Sequence, residues 1–118
     1  MPVIVLPYIP STITVHLGLP DQWAENVTVS FPDYVKNVAS SEIYTTWELS
    51  AIRANVLAII SFALNRVYTE FYPSRGYDFD ITSTTAYDQK FIRGRNIFEN
   101  ISRAVDETFN DYIRRTDF

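Results

Sequence analysis

The chain has 118 residues, of which 47% are hydrophobic and 15% are aromatic. This length allows one hydrophobic core but leaves no room for two, so residues 1–118 are expected to form a single domain. The net charge of -4 argues against a nucleic-acid partner, because proteins that bind phosphates usually present a basic surface. The chain has no cysteine, which excludes disulfides, thiolate metal sites and a cysteine nucleophile.

The N-terminal run MPVIVLPYIPS is apolar, but it is interrupted by Pro2, Pro7 and Pro10 and has no basic residue before it. It therefore lacks the pattern of a signal peptide. The longest apolar run, over residues 56–64, is far shorter than the roughly 20 residues that cross a bilayer. We expect no membrane insertion and interpret this run as part of a buried helix.

The first elements are predicted by alternation and by turn residues. TITVHLG and NVTVSF alternate β-branched and polar residues, and Pro20 and Asp21 lie in the turn sequence between them. These segments predict a β-hairpin. Ser30 followed by Asp33 predicts the start of a short helix, which is expected to end near residues 40–41.

A long second helix is predicted next. Thr45 and Glu48 have the spacing of a capping box, so the helix is expected from about residue 46 to 72, where Pro73 and Gly76 end it. Its middle is apolar on nearly every side, which is typical of a helix enclosed by other elements.

An extended segment is expected over residues 79–82, and a one-sided amphipathic helix over about residues 96–114. The order β, β, α, α, β, α predicts an α+β fold. It would have an N-terminal hairpin, a long buried central helix, a further short strand and a C-terminal amphipathic helix.

Glu42 is the candidate general acid. It lies between the end of one predicted helix and the cap of the next, where the fold fixes its backbone. Shielding by Ile43, Tyr44 and Trp47 would favour the protonated carboxyl that a general acid needs. The alternative is a surface glutamate at an interhelical turn, which is the more common situation.

The sequence predicts no metal and no cofactor. His16 is the only histidine, and within a predicted strand it is expected to face solvent or one neighbour. Asp78, Asp80 and Asp88 lie in DFDITSTTAYD, which lacks the bend glycine and the terminal glutamate of a calcium loop.

Three segments of the chain resemble the stage II sporulation protein D family, whose relatives include amidase enhancers. They are PDYVKNVASSEIYTTWELSAIRANVLAIISFAL, TSTTAYDQKFIRG and IFENISRAVDET, and the match spans about residues 27–110. The versions SSEIY and YDFDIT are similar to a clostridial branch that is often fused to peptidoglycan-binding repeats. The positions in step with the family are Tyr34, Val35, Val38, Glu42, Trp47, Ala51, Ala54, Ala58, Gln89, Phe91, Gly94, Ala104, Val105 and Thr108.

The resemblance implies a lytic transglycosylase, which cuts the glycan strands of peptidoglycan without water and leaves a 1,6-anhydro end. One carboxylic acid protonates the leaving oxygen and then accepts the proton of the sugar's own 6-hydroxyl. Glu42 matches the family's catalytic glutamate, and Arg53 matches its basic helical residue. Tyr87 and Gln89 are the further candidates for binding the glycan.

The chain departs from the family at several positions. The cysteine and histidine that bind metal in the sporulation enzyme are absent from TSTTAYDQ, the family arginine falls on Ile60, and Tyr44 replaces a proline. The family domain also continues past a position like Phe118, so the chain is expected to be the N-terminal part of the domain. The apolar surface that this would expose is expected to make the chain self-associate or be less stable than a longer form.

A second hypothesis is a non-catalytic glycan-binding or assembly module with the same fold. Glycan strands of peptidoglycan are the expected partner in both cases, and a location in the cell envelope is implied by the resemblance. A Glu42 that opens into a cleft lined by Arg53, Tyr87 and Gln89 would favour the enzyme.

We predict that chelation leaves the fold unchanged, because no cysteine is present and His16 lies far from the family's metal-binding stretch. Thermal unfolding with and without a strong chelator should give the same midpoint. A midpoint lowered by several degrees would reveal a structural ion, for which Asp78, Asp80 and Asp88 are the candidate ligands.

Overall fold

The computed structural model describes the backbone of residues 9–116 and the side chains of residues 9–111, so most of the N-terminal apolar run lies outside the described residues. It confirms the predicted α+β class, with a three-stranded sheet and three helices in this part of the chain. The elements are β1 (Thr12–His16), β2 (Asn26–Ser30), α1 (Phe31–Glu42), α2 (Leu49–Tyr68), β3 (Ile81–Thr82) and α3 (Glu99–Thr116).

The strand order in the sheet is β2-β1-β3. Strands β1 and β2 pair antiparallel, from Thr12 opposite Ser30 to His16 opposite Asn26, which confirms the hairpin. The short β3 pairs parallel to β1, with His16 opposite Thr82. The expectation that His16 lies far from the stretch TSTTAYDQ is therefore wrong, because this pairing brings them side by side and the Ser83 N–H donates to the His16 carbonyl. Because alternate residues of a strand face opposite sides, β1 directs Ile13 into the core.

Helix α1 is the most enclosed helix, although it is the shortest of the three. The Asp33 N–H donates to Ser30 Oγ at 3.2 Å, which confirms the predicted N-cap. The helix contacts all four of β1, β2, α2 and α3. Its buried residues are Phe31, Tyr34, Val35, Asn37, Val38, Ala39 and Ser40.

The predicted capping box at the start of α2 is wrong. The helix begins at Leu49 with Glu48 as its N-cap residue, and no side-chain hydrogen bond caps it. The Thr45 carbonyl instead accepts a hydrogen bond from Asn100 Nδ2 at 3.0 Å. The tertiary contact with the start of α3 therefore holds residues 44–47 in a turn, where the Trp47 N–H donates to the Tyr44 carbonyl.

Two other helix ends also differ from the prediction. Helix α2 ends at Tyr68, four residues early, because Glu70 adopts the left-handed conformation with φ of 50°. Helix α3 begins at Glu99 rather than near residue 96. The preceding Phe98 N–H donates to Ser40 Oγ at 3.4 Å, so these residues pack on α1 before the helix starts.

Helix α2 is buried on one face and exposed on the other, so the expectation that other elements enclose it is wrong for the described residues. Val56 and Ala63 are fully buried, whereas Leu57 is 47% exposed. By length and composition alone, the segment Leu49–Arg75 is also apolar enough to span a membrane, and 33% of its most apolar stretch is buried. Core helices of soluble proteins meet the same criterion, so the absence of membrane insertion stays a prediction.

The expectation that His16 faces solvent or one neighbour is wrong. Its side chain is buried and stacks on Phe79, with ring centroids 4.4 Å apart. Nε2 lies within 3.0 Å of the Leu19 and Gln22 carbonyl oxygens, and Nδ1 lies 2.6 Å from Asn26 Oδ1. The imidazole therefore fixes the loop between β1 and β2.

The buried Asp88 carboxylate connects three separate segments. Its Oδ1 accepts a hydrogen bond from Arg66 Nε of α2 at 2.6 Å. Its Oδ2 accepts from Tyr72 Oη at 2.6 Å, and from both the backbone N–H and the hydroxyl of Thr82 in β3. The Asp88 side chain is 0% exposed. One carboxylate thus ties α2, the residues after it and the edge of the sheet together.

We predict that Asp88→Asn lowers the free energy of unfolding by about 3–5 kcal/mol, because it leaves the largely buried Arg66 without its charged partner. Both oxygens of Asp88 accept hydrogen bonds, so the NH₂ group of an asparagine would face a hydrogen-bond donor in either orientation of the amide. Urea unfolding measures the loss. The matched control is Asp78→Asn at an exposed carboxylate nearby, expected to change stability by less than about 0.5 kcal/mol. Equal effects of the two substitutions would contradict this role of Asp88.

Candidate functional site

The candidate site lies where the C-terminal end of α1 meets the segment formed by residues 90–98. Four side chains of α1 hold this segment through hydrogen bonds. They are Asn37, Ser40, Ser41 and Glu42.

Asn37 fixes the turn formed by residues 92–95. Its Nδ2 donates to the Ile92 carbonyl at 2.7 Å, and its Oδ1 accepts from the Ile92 N–H at 2.9 Å. Gly94 supplies the positive φ of 77° that this turn uses. The Arg95 N–H closes the turn on the Ile92 carbonyl. The buried amide of Asn37 thereby determines where Arg95 lies.

Arg95 reaches back from this turn to the end of α1. Its Nη1 donates to Ser41 Oγ at 3.0 Å, and its Nε donates to the carbonyl of Asn96. The guanidinium carbon also lies 5.5 Å from the centre of the Phe98 ring. Three contacts hold the Arg95 side chain in place, and none of them is with a carboxylate.

Glu42 is the last residue of α1 and opens to solvent. Its Oε2 accepts a hydrogen bond from the Lys90 N–H at 3.0 Å, which orients the carboxylate. Ile43 is buried beside it, but Tyr44 is 71% exposed, so the shielding considered from the sequence is not formed. The Glu42 cleft has a volume of about 370 Å³ and is lined by Ser40, Ser41, Glu42, Ile43, Tyr44, Thr45, Arg95 and Phe98.

A second cleft, the β2 cleft, has a volume of about 330 Å³ and runs between β2 and the turn at residues 92–95. Arg95 lines both clefts, so they adjoin at its side chain. The residues that line the β2 cleft are Val27, Thr28, Val29, Asp33, Asn37, Phe91, Arg93, Gly94, Arg95 and Ile97.

The structure places Arg53 away from Glu42. Arg53 forms an ion pair with Glu107 of α3 and does not line the Glu42 cleft. Its Nε is buried and has no hydrogen-bond partner in the described part of the chain. The contacts of Arg53 are therefore those of a residue between α2 and α3.

Gln89 and Tyr87 also lie outside the Glu42 cleft. Gln89 is buried, where its Oε1 accepts from Tyr34 Oη at 3.0 Å and its Nε2 donates to the Ile59 carbonyl at 3.3 Å. Tyr87 is 54% exposed, and its carbonyl accepts from Arg66 Nη2. Gln89 fixes the backbone immediately before Lys90 instead of facing a ligand.

Sequence reasoning missed Asn37, Lys90 and Arg95. Asn37 had a recognisable signal, because it is an amide on the buried side of a short amphipathic helix. Lys90 contributes only its backbone N–H, which no side-chain pattern reveals. Arg95 lies in the turn after the matched Gly94, and only its contact with Ser41 shows that it belongs to the cleft.

Charge and burial act together on the tyrosine beneath the site. Burial raises the pKa of Tyr34, and the negative charges of Asp88 and Glu42 raise it further. Burial and the hydrogen bond to Asp88 likewise raise the pKa of Tyr72. Both phenols remain neutral under ordinary conditions and act as hydrogen-bond donors.

The described residues contain no group of three or more histidine, cysteine, aspartate or glutamate side chains that could hold a metal ion. Of the three candidate calcium ligands, Asp80 accepts from the Thr14 N–H and Asp88 pairs with Arg66. These two carboxylates therefore have structural partners.

The fold and the cleft together define an α+β protein with one acid in a cleft that is open to solvent. A family model described as "SpoIID: Stage II sporulation protein" matches residues 21–114. The chain belongs to this family, and membership suggests a role related to the cell wall. No curated protein and no solved structure matches the chain.

We predict that the protein loses stability as the pH rises above about 10, the ordinary pKa of tyrosine. Because the folded-state pKa values of Tyr34 and Tyr72 are raised, both phenols keep their protons when the unfolded chain has lost them. Their contribution is complete below about pH 10 and is lost at higher pH. Urea midpoints between about pH 8 and 11.5 measure the decline.

Tyr34→Phe is the control for this prediction, since phenylalanine cannot ionise. The variant loses the hydrogen bond to Gln89 at every pH, but its stability should fall less steeply above pH 10. A parent midpoint that stays constant up to about pH 11.5, or equal slopes for parent and variant, would contradict the prediction.

Proposed function

We propose that this protein cleaves the glycan strands of peptidoglycan as a lytic transglycosylase, with Glu42 as its single general acid and base. The observation that carries the proposal is the composition of the Glu42 cleft. Glu42 is the only acid among the residues that line it. Glycoside hydrolases usually need two carboxylates, one of which activates water or attacks the sugar.

A single carboxylate suffices when the nucleophile belongs to the substrate. Glu42 donates a proton to the leaving glycosidic oxygen, and the resulting carboxylate accepts the proton of the 6-hydroxyl as that oxygen attacks the anomeric carbon. Glu42 thus gives up one proton and regains one, no water is consumed, and the product carries a 1,6-anhydro end.

The orientation of Glu42 also supports this role. Only Oε2 is engaged, by the Lys90 N–H, and the described residues provide no hydrogen bond to Oε1. One oxygen therefore fixes the carboxylate, and the other remains available to a ligand in the cleft. Positioning of the acid relative to the substrate is a large part of such catalysis.

The second candidate is a glycan-binding module without catalysis. The exposure of Glu42 favours it, because Tyr44 is also exposed and does not shield the carboxyl group from water. The separation of Arg53 and Tyr87 from the cleft favours it too. Under both candidates we propose that residues 1–118 act as one domain whose partner is the peptidoglycan glycan strand.

Digestion of purified peptidoglycan tests the enzyme proposal. If the protein acts as proposed, mass analysis finds muropeptides with 1,6-anhydro ends rather than new reducing ends. Glu42→Gln keeps the size of the side chain and removes the transferable proton, so the rate should fall by about two orders of magnitude or more. Stability should hardly change, because the side chain is exposed.

Glu48→Gln is the matched control, since Glu48 is an exposed carboxylate at the same junction and makes no side-chain cap bond. Its digestion rate should equal that of the parent. A Glu42→Gln protein that cuts as fast as the parent contradicts the proposal. A parent that binds insoluble peptidoglycan but releases no product supports the binding module.

A further inference from the structure

Arg95 is a partly buried cation that has no acidic partner among the described residues. The ion pairs of the described residues use Lys36, Arg53, Arg66, Arg93 and Arg103, and Arg95 is absent from them. A cation that is partly removed from water is stabilised when an anion compensates its charge. The chain is also acidic overall, with 14 acidic against 10 basic residues, so carboxylates are not scarce.

The guanidinium keeps unused hydrogen-bond donors that suit an anion. Nε donates to the Asn96 carbonyl and Nη1 to Ser41 Oγ, whereas Nη2 makes no hydrogen bond within the described residues. An arginine with a free Nη2 and a second N–H on Nη1 presents the fork that binds a carboxylate through two parallel hydrogen bonds.

The side chain is already held in the orientation that a ligand would meet. Ser41 contacts it from the end of α1 and Phe98 from just before α3, and Asn37 fixes the turn that carries it. Binding would therefore immobilise little that is not already ordered, which lowers its entropic cost.

Arg95 lies where the Glu42 cleft adjoins the β2 cleft. The β2 cleft adds the acid Asp33 and Arg93, which pairs with Glu25. Glu42 and Arg95 both line the Glu42 cleft, and neither forms an ion pair within the described residues. A ligand that fits this pair offers a neutral glycosidic oxygen to one and an anionic group to the other.

We propose that Arg95 is a specificity-determining residue that binds a carboxylate carried by the sugar next to the cleaved bond. This inference rests on the proposed glycan substrate but not on its cleavage. In peptidoglycan, a carboxylate can be attached to muramic acid through its lactyl ether in two ways. The lactyl group supplies it when no peptide is attached, and the peptide supplies it otherwise.

Binding to three soluble oligosaccharides of equal length tests the inference by calorimetry. One carries free lactyl carboxylates, one carries peptides, and the third is a neutral oligomer of N-acetylglucosamine. All proteins carry Glu42→Gln so that no ligand is consumed. With Arg95 intact, at least one of the two anionic oligomers should bind about tenfold or more tightly than the neutral one, and the stronger of the two identifies the source.

Arg95→Gln should remove this preference and leave the affinity for the neutral oligomer unchanged. Arg95→Lys keeps the charge but not the fork, so it should restore only part of the preference. Arg103→Gln is the matched control, because it removes the same charge from an exposed position on α3, and it should bind all three oligomers as before. Circular dichroism checks that each variant is folded.

An unchanged preference in Arg95→Gln overturns the inference, as does an equal loss for neutral and anionic oligomers. Failure of the Arg95-intact protein to bind any oligomer, or equal binding of all three, overturns it too. The outcome is separable from that of the digestion experiment. A protein that never cuts but prefers carboxylates through Arg95 fails as an enzyme and retains this site, and an active protein without the preference shows the reverse.

Discussion

The buried carboxylate of Asp88 is the constraint on which the rest of the structure depends. It lies between Arg66 of α2, Tyr72 after that helix and Thr82 of β3, and it accepts a hydrogen bond from each. A buried ion pair stabilises a fold only when the remaining donors and acceptors are also satisfied. Here they are, so this short, otherwise irregular part of the chain can pack against the core.

The same constraint sets the position of the candidate acid. The residue after Asp88 is Gln89, whose side chain is held between Tyr34 and Ile59. The next residue, Lys90, donates its N–H to Glu42. Glu42 is thus oriented by a segment that is anchored in the core, although the carboxylate itself is exposed. This combination provides rigidity without burial.

Charges in this protein divide into two groups with different roles. Several cations are used in ion pairs that join elements, such as Arg53 to α3 and Lys36 to Asp106. Glu42 and Arg95 are held by neutral groups instead, and both line the Glu42 cleft. That arrangement is compatible with the cell-wall role that family membership suggests and with a glycan as ligand.

The sequence by itself determined the α+β class, the hairpin, the N-cap at Ser30 and the family, because alternation, capping and family motifs are local patterns. Only the tertiary structure decided where helix α2 starts, since the contact between Thr45 and Asn100 competes with a local capping box. It also separated Arg53 from Glu42 and brought Arg95 to it. Such contacts join residues about fifty positions apart, and no local spacing encodes them.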